Sequence, residues 1–147
     1  MTRIAVISDT HDRVPDGLVE RLAPADEIWH LGDVCEPETL AEFAALGKPL
    51  HTVLGNNEWH TLWPPELKLE RDGWYFHLIH IPPRRAPAWA DFVLHGHTHV
   101  PRDETDAAGV RWLNPGALSR PRDGSSIGIG WLTLRKGGAP EWTRVAL

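Results

Sequence analysis

A chain of 147 residues suits a single domain, residues 1–147, and is long enough to bury one core. With 41% hydrophobic and 24% charged residues it has the composition of an ordinary folded domain, which excludes disorder. A formal net charge of −5 argues against a life on long nucleic acid, where each phosphate contact needs a cation.

Residues 3 to 8 read as a strand buried on both faces, because the apolar run is continuous and β-branched. Residues 14 to 23 follow as a helix carrying Leu18, Val19 and Leu22. Residues 27 to 31 form a second strand. Residues 36 to 46 form a helix with Pro37 near its start, a stripe of Leu40, Phe43, Ala44 and Leu46, and Gly47 at its end. Residues 49 to 54 make a third strand, and this alternation implies a mostly parallel sheet. The pattern then changes. Residues 67 to 70 and 74 to 80, joined by Asp72-Gly73, read as a hairpin. Residues 84 to 90 form a short helix, with Pro87 against it, and residues 91 to 95 a further strand. Strands follow at 109 to 113, 127 to 134 and 141 to 145, with Gly137-Gly138 as a turn. Two facing sheets with helices outside are expected. No apolar run reaches the roughly 18 residues of a membrane span. The first residues do not form a secretory leader, and the single cysteine, Cys35, fits the reducing cytoplasm.

Several strands end in polar clusters: Ser8-Asp9-Thr10-His11, Gly32-Asp33, Gly55-Asn56-Asn57-Glu58, His80, and His95-Gly96-His97-Thr98-His99. Parallel strands collect their C-terminal ends on one edge, so these groups should converge. Carboxylates and imidazoles with one amide oxygen suit divalent manganese, iron, zinc or nickel. Two such ions about 3.5–4 Å apart share a carboxylate, for which Asp33 is the natural bridge. Gly32 and Gly55 let the backbone turn sharply beneath the ions. Any one of these residues alone reads as a cap or a solvated loop residue; the ordered set does not.

This set, completed by Asn114-Pro115-Gly116, resembles the calcineurin-like metallophosphoesterase superfamily, and within it the small bacterial and archaeal phosphodiesterases. The resemblance implies an α/β fold, a four-layer α/β/β/α sandwich of two facing mixed sheets. It implies two divalent metal ions, manganese first, with Asp9, His11, Asp33 and His99 on one and Asp33, Asn56, His80 and His97 on the other. Asn114-Pro115-Gly116 would be a turn supporting the site edge. A metal-bridging hydroxide would then attack the phosphorus of a small phosphate ester, a phosphodiester for preference, with no protein nucleophile.

Three departures bear on the chemistry. Related nucleases and phosphatases carry a histidine after the metal-binding asparagine, where this chain has Asn57. Close relatives often have Cys-Asp there, against Asn57-Glu58 here, and the segment after His80, commonly Gly-His, is Ile81-Pro82; Ala117 in place of a frequent serine is a minor change. Leaving-group protonation must then come from elsewhere. Glu58 is a candidate, against its reading as a solvated loop carboxylate. Asn57 and Arg122 are candidate substrate-binding residues, and Arg84, Arg85 and Arg120 could also clamp a phosphate. Trp59 and Trp63 could line a substrate slot or serve in a homo-oligomer contact. His30, His51 and His77 read as structural or surface residues, and Cys35 as packing. A catalytically silent scaffold that binds protein partners, and a nuclease, are the alternatives. All seven metal-binding positions being kept weighs against the first. Asn57 and the acidic balance weigh against the second.

Overall fold

Five strands face five others in the computed structural model, which describes residues 1–147. The first sheet has the order β10-β9-β1-β2-β3. Its β1 (Thr2–Ile7), β2 (Glu27–His30) and β3 (Leu50–Thr52) run parallel. β9 (Gly128–Leu134) and β10 (Glu141–Ala146) add antiparallel neighbours on the other side of β1. The second sheet has the order β4-β5-β6-β8-β7. The hairpin of β4 (Glu66–Arg71) and β5 (Trp74–Ile79) is followed by β6 (Phe92–Leu94) and β8 (Arg111–Asn114), parallel to β5. β7 (Arg102–Thr105) closes the edge antiparallel to β8.

Alternation along β1 explains both cores. Ile4 and Val6 point between the sheets, where Trp29, Leu31, Val53 and Leu132 meet Phe76, Leu78, Phe92 and Leu94 from the opposite side. Ala5 and Ile7 point outward and pack under Leu18, Leu22 and Phe43. A strand covered on both faces needs apolar residues at every position, which is why β1 reads as an unbroken run. Phe76 stacks on Phe92 with centroids 4.8 Å apart and takes the edge of Trp29 at 5.4 Å, geometry that favours ring over aliphatic packing there.

The outer helical layers of the expected four-layer sandwich scarcely exist. The helix expected over residues 14 to 23 contracts to α1 (Leu18–Leu22), because Pro15 and the left-handed Gly17 (φ 80°) occupy its first turn. The helix expected over 36 to 46 becomes a 3₁₀ turn at Pro37–Leu40 and one turn of α2 (Ala41–Ala44). Residues 84 to 90 form no helix. The outer face of the second sheet is covered instead by Ile79 and Ala86 packed on Val93, Val110 and Trp112. β7 has no apolar alternation because it is an exposed edge, held by its ladder and the Asp103–Arg111 ion pair. No helix is long and apolar enough to cross a membrane.

Candidate metal centre

The ends of β1, β2, β3, β5 and β6 lie at one edge of the two sheets, and short backbone bonds tie the loops beyond them. Asp9 N–H donates to Gly32 O at 3.0 Å, His11 N–H to Asp33 O at 2.9 Å and Gly96 N–H to His80 O at 3.0 Å. The turn after β8 braces the same edge. Asn114 Nδ2 donates to Gly96 O at 3.3 Å and to Thr98 Oγ1 at 3.1 Å, and Ser119 Oγ donates to Asp9 O at 2.9 Å.

Asp9, His11 and His99 place donor atoms within 4.8 Å of one another, and so do Asp9, Asp33 and His80. The carboxylates sit between the rings. Asp9 Oδ1 is 3.3 Å from His99 Nε2 and 3.8 Å from the Nε2 atoms of both His11 and His80. Asp33 Oδ2 is 3.1 Å from His80 Nε2 and 3.6 Å from His11 Nε2, so Asp33 reaches both groups. Asn56 and His97 stand at the outer rim, Asn56 Oδ1 3.2 Å from His97 Nδ1, with the His97 ring 5.3 Å from that of His80. All seven residues thus meet in one place.

The orientation of the imidazoles follows from their far nitrogens. A carbonyl oxygen only accepts, so His80 Nδ1–H donates to Leu31 O at 2.7 Å and His99 Nδ1–H to Arg120 O at 2.9 Å. Each Nε2 lone pair then faces the carboxylates. With His80 neutral, Asp9 Oδ1 and His80 Nε2 are buried without a hydrogen-bond partner; only a protonated Nε2 would donate to Asp33 Oδ2, 3.1 Å away. A buried lone pair left unpaired costs about 1–3 kcal/mol, more on a charged group, unless a cation takes it. The donor set therefore fits a divalent metal pair of oxygen and nitrogen preference.

Electrostatics point the same way. Burial opposes ionisation of Asp33, but the His80 ring and the Asn57 N–H groups outweigh it and hold the carboxyl far below its ordinary range. Asp9, also opposed by burial, is lowered by His11 and Ser8, the latter donating to Oδ2 at 2.6 Å. Burial works against the charged form of His80, yet Asp33 and Asp9 raise its pKa. The pocket holds two carboxylates ionised and draws positive charge toward them.

The backbone is strained at the same positions. Asp9 (φ 56°), His11 (46°), Asp33 (60°), His97 (72°) and His99 (61°) all lie in the left-handed region. Five of the seven candidate ligands pay about 1–3 kcal/mol each for that conformation, a pattern typical of functional sites. Gly32 has φ 101° and is a genuine turn, as its sequence context implies. Gly55 acts differently from expectation: its φ is not positive, and a Cβ there would lie 2.2 Å from Asp33 N and Oδ1. It is glycine so that the Asp33 carboxylate can approach the third strand's loop.

A cleft of about 430 Å³ opens over the cluster, with no hydrophobic residue in its lining. Asn57, Arg120 and Arg122 lie on its wall. Asn57 also braces the bridge, with N–H to Asp33 Oδ1 and Nδ2 to Asp33 Oδ2, both at 2.9 Å. Glu58 does not line this cleft and is not a solvated loop carboxylate. It is half-buried and takes the Val34 N–H at 2.9 Å, while burial and Asp33 raise its pKa. Arg84 and Arg85 line a separate cleft of about 700 Å³ beside Trp112, away from the metal cluster. Trp59 and Trp63 line no slot at the centre. They flank the His60 ring at 5.5 and 4.7 Å, Trp63 packed on the outer core and Trp59 exposed. Cys35 Sγ lies 3.9 Å from His11 Nδ1, and burial with nearby acids pushes its thiol up to about 11. His51 and His77 sit 3.6 Å from Glu27 and 3.4 Å from Glu66. Sequence reasoning gave no role to Ser8, Thr98 and Ser119; adjacency to Asp9 and to the His-x-His segment was the available signal for the first two, and nothing local marked Ser119, 110 positions from Asp9.

His30 and His95 form a layer behind the centre. His95 Nδ1–H donates to Gly96 O and its Nε2 takes Arg102 Nη1, and burial pushes it down to about 4. His30, fully buried, accepts the Gly32 N–H on Nδ1 and donates from Nε2 to Thr10 Oγ1, and burial lowers it to about 4. Between its unfolded pKa near 6.5 and about 4, only the unfolded chain binds this proton. Its neutral form therefore stabilises fully above pH 6.5, and about 3 kcal/mol is lost as pH falls to 4. Urea titrations of metal-free protein at pH 7 and pH 4 should show that loss, and His30→Gln should remove about that much of it. An equal pH dependence in the variant would assign the acid sensitivity elsewhere.

Residues 2–137 match the family model described as the calcineurin-like phosphoesterase superfamily domain. No curated protein matches the chain. Among solved structures, an archaeal phosphodiesterase superposes with TM-score 0.81 at 22% identity, covering 99% of this chain and 100% of the other. The Thermotoga maritima protein TM1076 gives TM-score 0.76 at 26% identity over 100% of both chains. Vps29 from Entamoeba histolytica, complexed with zinc, gives TM-score 0.77 at 18% identity over 98% of both.

Proposed function

The chain belongs to the calcineurin-like phosphoesterase superfamily, and on that footing we propose that it hydrolyses phosphate esters, phosphodiesters foremost, with two divalent cations. The observation that carries this reading is the pair of buried, partnerless lone pairs, Asp9 Oδ1 and His80 Nε2, set among carboxylates and imidazoles. Asp9, His11, Asp33 and His99 would hold one ion, and Asp33, Asn56, His80 and His97 the other. Manganese is the favoured ion, with iron, zinc or nickel fitting the same donors. Zinc is the ion in the Entamoeba Vps29 structure. Bound there, the pair would supply Lewis-acid charge and an activated water.

The chain's own residues do the rest. Asp33 spans the two groups and is held in place by both Asn57 donors. The Nδ1–H bonds of His80 and His99 fix their rings. Arg120 and Arg122, on the cleft wall, offer guanidinium groups to phosphate oxygens. The substrate is a small ester rather than a polymer, since the cleft carries only these two cations and the chain's net charge is −5.

Asn57 has no proton to give a departing alkoxide, and Glu58 is turned to the Val34 N–H. General acids contribute about 10²–10⁴-fold, so aryl phosphodiesters should outpace alkyl ones by at least about 10²-fold. Elemental analysis of purified protein, paired with rates on aryl and alkyl mono- and diesters, tests the reading. Stoichiometric metal with diester hydrolysis is expected. Equal aryl and alkyl rates would mean that an acid is present, and a protein that takes up no metal and cleaves no ester would end the proposal.

A further inference from the structure

Next to the polar cleft lies a smaller hollow of about 230 Å³, and its lining is of the opposite character. Leu54, Pro65, Ile79 and Ile81 form it together with Asn56 and His80. Asn56 lines both hollows, and His80 belongs to the metal cluster, so the two hollows share a wall beside the centre. Ile81 directly follows a buried candidate ligand, yet it is 49% exposed. Leu54 and Ile79 are half-buried and open to the same space. Apolar side chains left facing water beside a reactive centre are stabilised when an apolar group covers them. No hydrophobic residue lines the polar cleft, so that cleft offers nothing to an organic substituent.

We propose that this hollow is the subsite for the organic substituent of the ester, and that it takes uncharged aryl or compact branched alkyl groups. A phosphate held over the metal cluster and against Arg120 and Arg122 would project one ester arm past Asn56 onto Ile81, Ile79, Leu54 and Pro65. A volume of about 230 Å³ accommodates one ring. This inference rests on the phosphodiesterase reading. It also goes beyond that reading, because it assigns selectivity to a surface that makes no contact with the phosphate. It agrees with the chemistry at position 57: a centre without a general acid there works best on esters whose alcohol leaves readily, and many of those are aryl.

Phenylphosphonate and methylphosphonate share a phosphonate head and differ only in the arm, so they isolate the subsite from the leaving-group step. Calorimetric titration of each into the full chain equilibrated with manganese should show the phenyl compound binding about tenfold tighter. Ile81→Ser should bring the ratio close to one, and Ile81→Leu should restore it. Because Ile81 is half exposed, both variants are expected to fold, and their melting temperatures check that. Binding of both phosphonates without discrimination overturns the subsite and leaves the phosphodiesterase reading standing. Binding of neither overturns both. A preference that survives Ile81→Ser also overturns it, as does an oligomer that dissociates in Ile81→Ser with the ratio unchanged, which would make the surface a contact between copies.

Discussion

Asp33→Asn should lower kcat/KM for an aryl phosphodiester by at least about 10³-fold, since on the proposed mechanism it removes roughly 4 kcal/mol or more of charge stabilisation. Asp33 reaches both histidine groups, 3.6 Å from His11 Nε2 and 3.1 Å from His80 Nε2, closer to each than Asp9, which lies 3.8 Å from both. An amide keeps its volume and loses its charge. Two cations that close together then repel with less anionic charge between them. The geometry survives: the Asn57 side chain can turn its oxygen toward the new NH₂ group, and the Asn57 N–H still finds an oxygen. The folded protein should melt below the wild-type temperature without metal, because the His80 ring and the Asn57 N–H groups that hold the carboxylate ionised lose their charged partner. Steady-state kinetics with a metal titration checks the result. Activity within tenfold of wild type would show that Asp33 does not bridge.

Stripping with a chelator should abolish hydrolysis and lower the melting temperature by about 5–10 °C relative to protein with manganese at one hundred times its dissociation constant. Ligand at that excess stabilises by about 2.7 kcal/mol, and a domain of this size shifts about 2–4 °C per kcal/mol. The shift has a visible origin. Asp9 and Asp33 are held as carboxylates within one small cluster, and Asp9 Oδ1 and His80 Nε2 have no partner. A cation relieves the repulsion and fills both lone pairs. Scanning calorimetry with and without chelator reads the effect directly. Superimposable melts would mean that the cluster is satisfied without metal.

What could be read in the sequence was what local chemistry dictates. The unbroken apolar run of β1 announced a strand covered on both sides, and the polar residues at the strand ends announced where a site would form. Parallel topology implied that those ends converge, and the resemblance supplied the division of the ligands between two ions. The short helices were illegible because Leu18 and Leu22 give a helical period over a span that Pro15 and Gly17 truncate, and Leu40 and Phe43 give one over a span that is half 3₁₀ turn. β7 was illegible because an exposed edge strand needs no apolar alternation. Gly55 was recognised but for another reason. Only coordinates show that its missing Cβ makes room for Asp33 rather than freeing φ. Likewise Glu58 looked solvated, and its bond to the Val34 N–H joins residues 24 positions apart. The small apolar hollow was legible only as a departure, Ile81-Pro82 after His80.

Ser119, which donates to the Asp9 carbonyl across 110 positions, and β9, which flanks β1 through Leu134, give the centre an order of assembly. During synthesis Asp9 and His11 emerge more than a hundred residues before Ser119 and β9, the groups that brace them. A nascent chain therefore offers scattered aspartates and histidines and no finished cage. Ion uptake by such a centre would follow the docking of Ser119 and β9 rather than the emergence of its first ligands, which would expose it to whichever cations the surrounding fluid holds at that moment.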